Sequence, residues 1–211
     1  MTRQFFIERA LRQIYGGQPT DDSQITVNLV NSWLNDAIAT AAKQCYKEAI
    51  QIDGIGYVNN GFYTTFKGIA VSQDENLTFR LTLPQIPVGI GRNEGVSKLQ
   101  FKNDKGAVTL PCVPISQNQS TYFESMRPIP NKIIYLPQGE YILVKSTLLL
   151  DKYTGSVTMV SGGDSTTLTS TLNVPSDYFP LMVEYIKAQL GFERAQPVDA
   201  ANDGLDAVKT I

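Results

Sequence analysis

Val27-Asn28-Leu29-Val30-Asn31-Ser32-Trp33-Leu34-Asn35-Asp36-Ala37-Ile38-Ala39-Thr40-Ala41-Ala42-Lys43-Gln44-Cys45-Tyr46-Lys47-Glu48-Ala49-Ile50 is the stretch on which the fold turns. Val27, Val30, Leu34, Ala37, Ala41, Cys45 and Ala49 recur every three or four residues, and Trp33 and Ile38 widen the stripe. That period predicts an amphipathic helix of roughly 24 residues, about 35 Å long, with Thr26 as its N-cap. A stripe this wide needs cover on more than one side, and Ala37, Ala39, Ala41 and Ala42 let another helix approach closely. At Asp53-Gly54 the period changes from helical to β.

The cover comes from both ends of the chain. Phe6, Ala10, Leu11 and Ile14 have helical spacing over residues 3–15, and Gly16-Gly17 supplies a left-handed stop. Pro19 to Ser23 reads as a turn. Its Asp21-Asp22 resembles a metal-binding pair, but acidic residues ahead of a helix ordinarily serve capping and the helix dipole. A final helix opens near Ser176-Asp177 and ends before Pro197, with Phe179, Val183, Ile186 and Leu190 on its apolar face. Pro180 restrains Phe179, which places the helical start a few residues late.

Between the helices lie short β-type runs punctuated by Gly and Pro. Ile55–Asn59 and Phe62–Val71 flank Asn59-Asn60-Gly61, a hairpin signal because Asn and Gly tolerate positive φ. Leu77–Leu83 alternates, and Pro84 to Gly91 is too rich in Pro and Gly for a central strand. Val96–Phe101 is expected to pair with Ala107–Ile115 around Asn103 to Gly106. Lys132–Leu136 is expected to pair with Glu140–Leu148, and Ser156–Ser161 with Leu168–Val174. Ser116–Met126 has a capping-box spacing at Ser116 and Gln119 and suits a short helix. The expected fold is α+β: an N-terminal helical hairpin and a C-terminal helix forming a small bundle, with an inserted antiparallel β-sandwich or barrel. Its parts are residues 1–52 plus 175–196 as the bundle, 53–174 as the β module, and 197–211 as a tail. In the tail, Leu205, Val208 and Ile211 are spaced as a short docking helix.

The 211 residues suffice for a sizeable core, and 42% apolar content with net charge −2 describes an ordinary folded chain. The near-neutral balance argues against a dedicated duplex-DNA binder. Charged residues are 18%, below the usual share of about 25%. The ten tyrosines and many amides that replace them suit wide protein–protein contacts. Cys45 and Cys112 read as buried reduced thiols. No signal peptide and no apolar run of membrane-spanning length are visible, so the chain is expected to mature in a cytoplasm and to have no membrane partner.

The motifs for chemistry fail one by one. Without histidine there is no Ser-His-Asp triad and no usual zinc site. Gly89 to Gly95 spaces its third glycine wrongly for a dinucleotide loop. Gly162-Gly163-Asp164-Ser165, between two β runs, reads as a turn rather than a phosphate cradle. Nothing marks a glycosidase carboxylate pair. Tyr57, Phe62, Tyr63 and Phe66 suit stacking on sugars or bases, though alternation favours core or interface packing. No catalytic, cofactor-binding or metal-ligating residue is expected; the candidate docking residues are Leu205, Val208 and Ile211.

The segments Phe62-Tyr63-Thr64-Thr65-Phe66-Lys67-Gly68, Leu83 to Gly95, Ser125-Met126-Arg127-Pro128-Ile129-Pro130-Asn131-Lys132 and Val174-Pro175-Ser176-Asp177-Tyr178-Phe179-Pro180 resemble a structural protein of crAss-like phages, the tailed phages of gut Bacteroidales. The resemblance covers almost the whole chain. The helix–β insert–helix plan also resembles head-to-tail adaptors of short-tailed phages, an analogy of architecture. Together these imply a virion protein assembled in the host cytoplasm, without enzymatic activity. They imply a dodecameric ring that joins the portal to a further tail component and prolongs the channel through which DNA passes, without sequence-specific binding. The alternative is a carbohydrate-binding β module of a tail fibre or cargo protein, stacking sugars on Tyr57, Tyr63 and Tyr122. It leaves the paired helices unexplained.

Overall fold

The computed structural model describes residues 1–15, 27–75, 77–90, 95–103, 112–119, 121, 123 and 127–195. The expected turn at Pro19 to Ser23 with Asp21 and Asp22, the Thr26 cap, the Asn103–Gly106 turn beyond Asn103 and the tail after Pro197 lie outside them. Three α-helices are present among these residues: α1 (Arg3–Tyr15), α2 (Val27–Asp53) and α3 (Phe179–Ala195). Seven strands follow in chain order: β1 (Tyr63–Glu75), β2 (Thr78–Thr82), β3 (Val96–Asn103), β4 (Cys112–Pro114), β5 (Ile133–Gln138), β6 (Tyr141–Lys145) and β7 (Tyr153–Val160). The α+β class is as expected, with the helices flanking the strands.

The stripe on α2 is buried from Val30 to Ala49, and α1 and α3 both pack on α2. Only its first member, Val27, is exposed. Phe6, Ile7, Ala10 and Leu11 of α1 meet Met182, Ile186 and Leu190 of α3 in the same cluster, which Phe62, Val160, Leu172 and Val174 close from the strand side. Trp33 is 7% exposed in this core. As Pro180 implies, residues 176–178 are a 3-10 turn and the α-helix proper begins at Phe179.

The strands form one sheet in the order β3-β7-β1-β2-β6-β5-β4, curled until β3 and β4 approach each other into a nearly closed barrel. β1 makes this curvature possible. Its first half pairs with β7 and its second with β2, and the register slips between Phe66 and Ile69. Gly68 sits in that slip at φ +74°, a backbone that costs other L-residues. Phe79, Leu81, Ile142, Val144, Val157 and Met159 alternate inward and fill the interior. β5 is buried on both faces because Ile134 and Leu136 meet Ile115 and Phe123 outside the barrel.

Several expected pairings are replaced. Residues 55–59 are not a strand: the Asn59 side chain accepts from the Gly61 amide at 2.9 Å and caps a 3-10 turn over Asn60–Phe62. Among the described residues β3 lies antiparallel to β7, and β4, the described part of its expected partner run, pairs parallel with β5, so the sheet is not wholly antiparallel; residues 107–111 of that run lie outside the described residues. Residues 168–174 are likewise not a partner strand for β7; they pair instead with the N-terminus around a Thr2–Thr171 bridge, through backbone hydrogen bonds from Arg3, Gln4 and Leu172. The expected β5–β6 pair is present, turning at Gly139 with Pro137 inside the ladder, and β2, for which the sequence names no partner, pairs with β1 and β6. Of Ser116–Met126, Gln117–Gln119 form a 3-10 turn, and the Gln119 side chain accepts from the Ser116 amide at 3.3 Å.

Candidate functional site

The last turns of α2 run into an irregular connection that brings three tyrosines onto one cleft of about 240 Å³. Its walls are Tyr46 of α2, Gly56, Tyr57 and Val58 of the connection, Tyr63 at the start of β1, Ile90 and Gly95 of the preceding loop, Val96 and Ser97 of β3, and Val160 of β7. The backbone fixes this meeting point. Val160 donates to the Gly95 carbonyl and accepts from the Val88 amide, both at 2.8 Å, so the loop before β3 is tied to the end of β7. Tyr63 is the register partner of Val160. The Asn59 amide donates to the buried Cys45 sulfur at 3.5 Å, which ties the connection back to α2.

The rings are held as well as gathered. A β-carbon on Gly56 would lie 2.3 Å from the Tyr46 ring, so the bare glycine is what lets that ring lie against the connection. The Tyr57 hydroxyl donates to the Asp53 carboxylate at 2.7 Å. That bond, and then the carboxylate's charge, hold the Tyr57 phenol above its ordinary value by penalising the phenolate. Burial raises Tyr63 in the same direction. Tyr57 remains 52% exposed at the rim. The sequence points to Tyr57 and Tyr63, and the structure sets both on this cleft; Tyr122 lies outside the described residues. Tyr46, Gly56 and Ser97 carry no local signal, because their roles depend on contacts between distant elements.

The Gly162–Ser165 segment is a loop with its own polar framework. Gly162 donates to the Phe62 carbonyl at 3.2 Å, and the Ser165 amide and hydroxyl both donate to the Gln85 side-chain oxygen at 2.9 Å. Asp164 accepts from the Thr166 amide and hydroxyl, which hold its carboxylate below the usual range, with a further contribution from Arg3. Amides already occupied, beside a carboxylate, suit a turn rather than a phosphate cradle.

Two other surfaces are open. Ile52 (81% exposed) and Ile55 (69%) stand with Ile50 and Tyr57 around the C-terminal end of α2. Val113 and Pro114 of β4 and the following Ile115 line a largely apolar groove of about 490 Å³ with Ile129, Lys132 and Ile134. No disulfide joins Cys45 and Cys112; Cys45 is buried, whereas Cys112 is half-buried, with its thiol pushed up to about 12 by desolvation. Among the described residues, no group of three or more Asp, Glu, Cys or His side chains is placed to hold a metal ion, and no helix is long and apolar enough to cross a membrane. Leu205, Val208 and Ile211 lie outside the described residues. The chain matches no known family model and no curated protein.

Proposed function

We infer that the protein is a non-enzymatic, ring-forming head-to-tail connector of a tailed-phage virion, joining the portal to the next tail component. One observation carries this reading: among the described residues, two separate surfaces gather exposed apolar side chains, Ile50, Ile52 and Ile55 beside the bundle and Val113 with Ile129 in the groove on the barrel, whereas Phe5, Ile86 and Leu149 are exposed elsewhere. A head-to-tail contact that closes into a ring needs each copy to bury two different patches, and exposed apolar patches mark association sites. The low charge and abundant tyrosine suit such contacts. The resemblance to crAss-like phage structural proteins and the adaptor analogy supply the rest: a dodecamer, a portal partner and DNA passing through the central channel. The tail, through Leu205, Val208 and Ile211, would grip the portal or an adjacent subunit.

The test is direct. Electron-microscope images of the virion, and mass photometry of the purified chain with its portal, should reveal a closed ring of this protein. Only monomers or dimers in both would end the connector reading.

A further inference from the structure

We propose that the cleft lined by Tyr46, Tyr57 and Tyr63 binds a single neutral sugar ring. The proposal does not rest on the connector reading. It starts from size: at about 240 Å³ the cleft lies below the roughly 300–1,000 Å³ of sites for drug-sized ligands, so it suits one ring rather than a nucleotide.

The chemistry of the walls narrows the class. None of the described lining residues carries a charge, so the described walls offer hydroxyls and rings rather than ion-pair partners. The hydroxyls of Tyr46, Tyr57, Tyr63 and Ser97 supply donors and acceptors, and the tyrosine rings supply flat apolar faces. A pyranose has that same division, with C–H groups on its faces and hydroxyls around its edge. A purely apolar side chain from a partner would leave the tyrosine and serine hydroxyls desolvated without hydrogen bonds. The site is also prepared in advance. Tyr57 is anchored by Asp53 at 2.7 Å and Tyr46 by its seat on Gly56, so little side-chain freedom remains to be lost on binding. The Tyr57 oxygen, having donated to Asp53, still offers its lone pairs to a sugar hydroxyl.

The experiment uses the full chain in saturation-transfer NMR titrations with glucose, galactose, mannose, N-acetylglucosamine, cellobiose and chitobiose. At least one should bind saturably with a millimolar Kd. Tyr57→Ala should weaken that binding by about tenfold or more, and Tyr57→Phe, which keeps the ring, by less. Ser97→Ala, a second exposed wall position, should also weaken it, whereas Phe5→Ala on the outer face of α1 should change nothing. Thermal melts of each variant separate loss of site from loss of fold. If none of the six sugars saturates, or if Tyr57→Ala and Ser97→Ala both leave the affinity unchanged, the proposal is wrong. Binding of phenylalaninamide in place of every sugar would assign the cleft to an aromatic side chain of a protein partner, and would equally overturn it.

Discussion

The bundle and the barrel bury different kinds of side chain. In the bundle Ala10, Ala37, Ala41, Ala42 and Ala49 are buried among Leu34, Ile38 and Met182. The described barrel interior buries no alanine; Phe79, Phe101, Tyr135, Met159 and branched aliphatics fill it. Small residues let helix axes come close, so the bundle gains from many short contacts and has little room for added volume. The barrel must fill the space that its curvature encloses, so each large side chain there carries more of the stability. One core should be sensitive to atoms added, the other to atoms removed.

The largest expected effect comes from removing volume. Phe79→Ala should destabilise the protein by about 3–5 kcal/mol, because the fixed ladder of β2 cannot collapse onto the void. Leu34→Ala, at an equally buried site, should cost about 2–5 kcal/mol and fall below Phe79→Ala, since helices relax toward each other more easily than hydrogen-bonded strands. Urea melts of the two variants decide the matter. A larger loss at Leu34 would break the contrast, and a loss below about 1 kcal/mol there would mean that the α2 stripe is not core.

The same contrast explains what the sequence could disclose. The bundle was legible because a helical stripe is local: Val30 to Ala49 announce their own buried face whatever they pack against. Most strands were legible too, from alternation in runs such as Thr78–Thr82. Their partners were not. Asn59-Asn60-Gly61 has the composition of a hairpin turn, yet its asparagine caps a 3-10 turn instead, and nothing local distinguishes the two uses. β7 is shared between β1 and β3, and β4 runs parallel to β5, choices made by closure of the barrel over long sequence separations. The tyrosine cleft was half legible for the same reason. Tyr57 and Tyr63 are close in sequence, whereas Tyr46 joins them only because the connection folds back along α2.

Adding volume at the seam between the two cores sharpens the comparison. Gly162 has φ +66°, and a β-carbon there would sit 2.5 Å from the Ile38 side chain of α2. Gly162→Ala should cost about 2–4 kcal/mol, combining left-handed backbone strain with overpacking. Gly68→Ala, at φ +74° with nothing within 4 Å, isolates the backbone part and should cost about 1–2 kcal/mol. Equal losses in chemical-denaturant melts would show that Ile38 gives way freely, and that the bundle tolerates added atoms after all.

The smallest expected effect concerns Arg3, the one fully buried charge among the described residues of the bundle. Arg3 is completely enclosed; its Nε donates to the Asn31 side chain at 3.1 Å and its Nη2 to that of Asn35, while Nη1 has no partner among the described residues. Desolvation lowers its pKa, with Asp164 opposing, so the environment taxes the charge without fully pairing it. Meanwhile the main chain around it is held independently: Arg3 and Gln4 donate to Ser170 and Leu168 at 3.0 and 2.9 Å, and Met1 accepts from Leu172 at 2.9 Å. Arg3→Met keeps most of the volume, removes the desolvated charge and leaves Asn35, which is exposed, free to turn to water. Its stability should therefore stay within about 1 kcal/mol of the parent, in either direction. Arg3→Ala empties the same space and should cost about 2–4 kcal/mol. If Met and Ala instead cost the same, and more than about 2 kcal/mol, the guanidinium's hydrogen bonds rather than its bulk secure the N-terminal segment, and the bundle, like the barrel with its Lys145 ammonium donating to the Phe123 carbonyl, depends on a charged side chain's hydrogen bond.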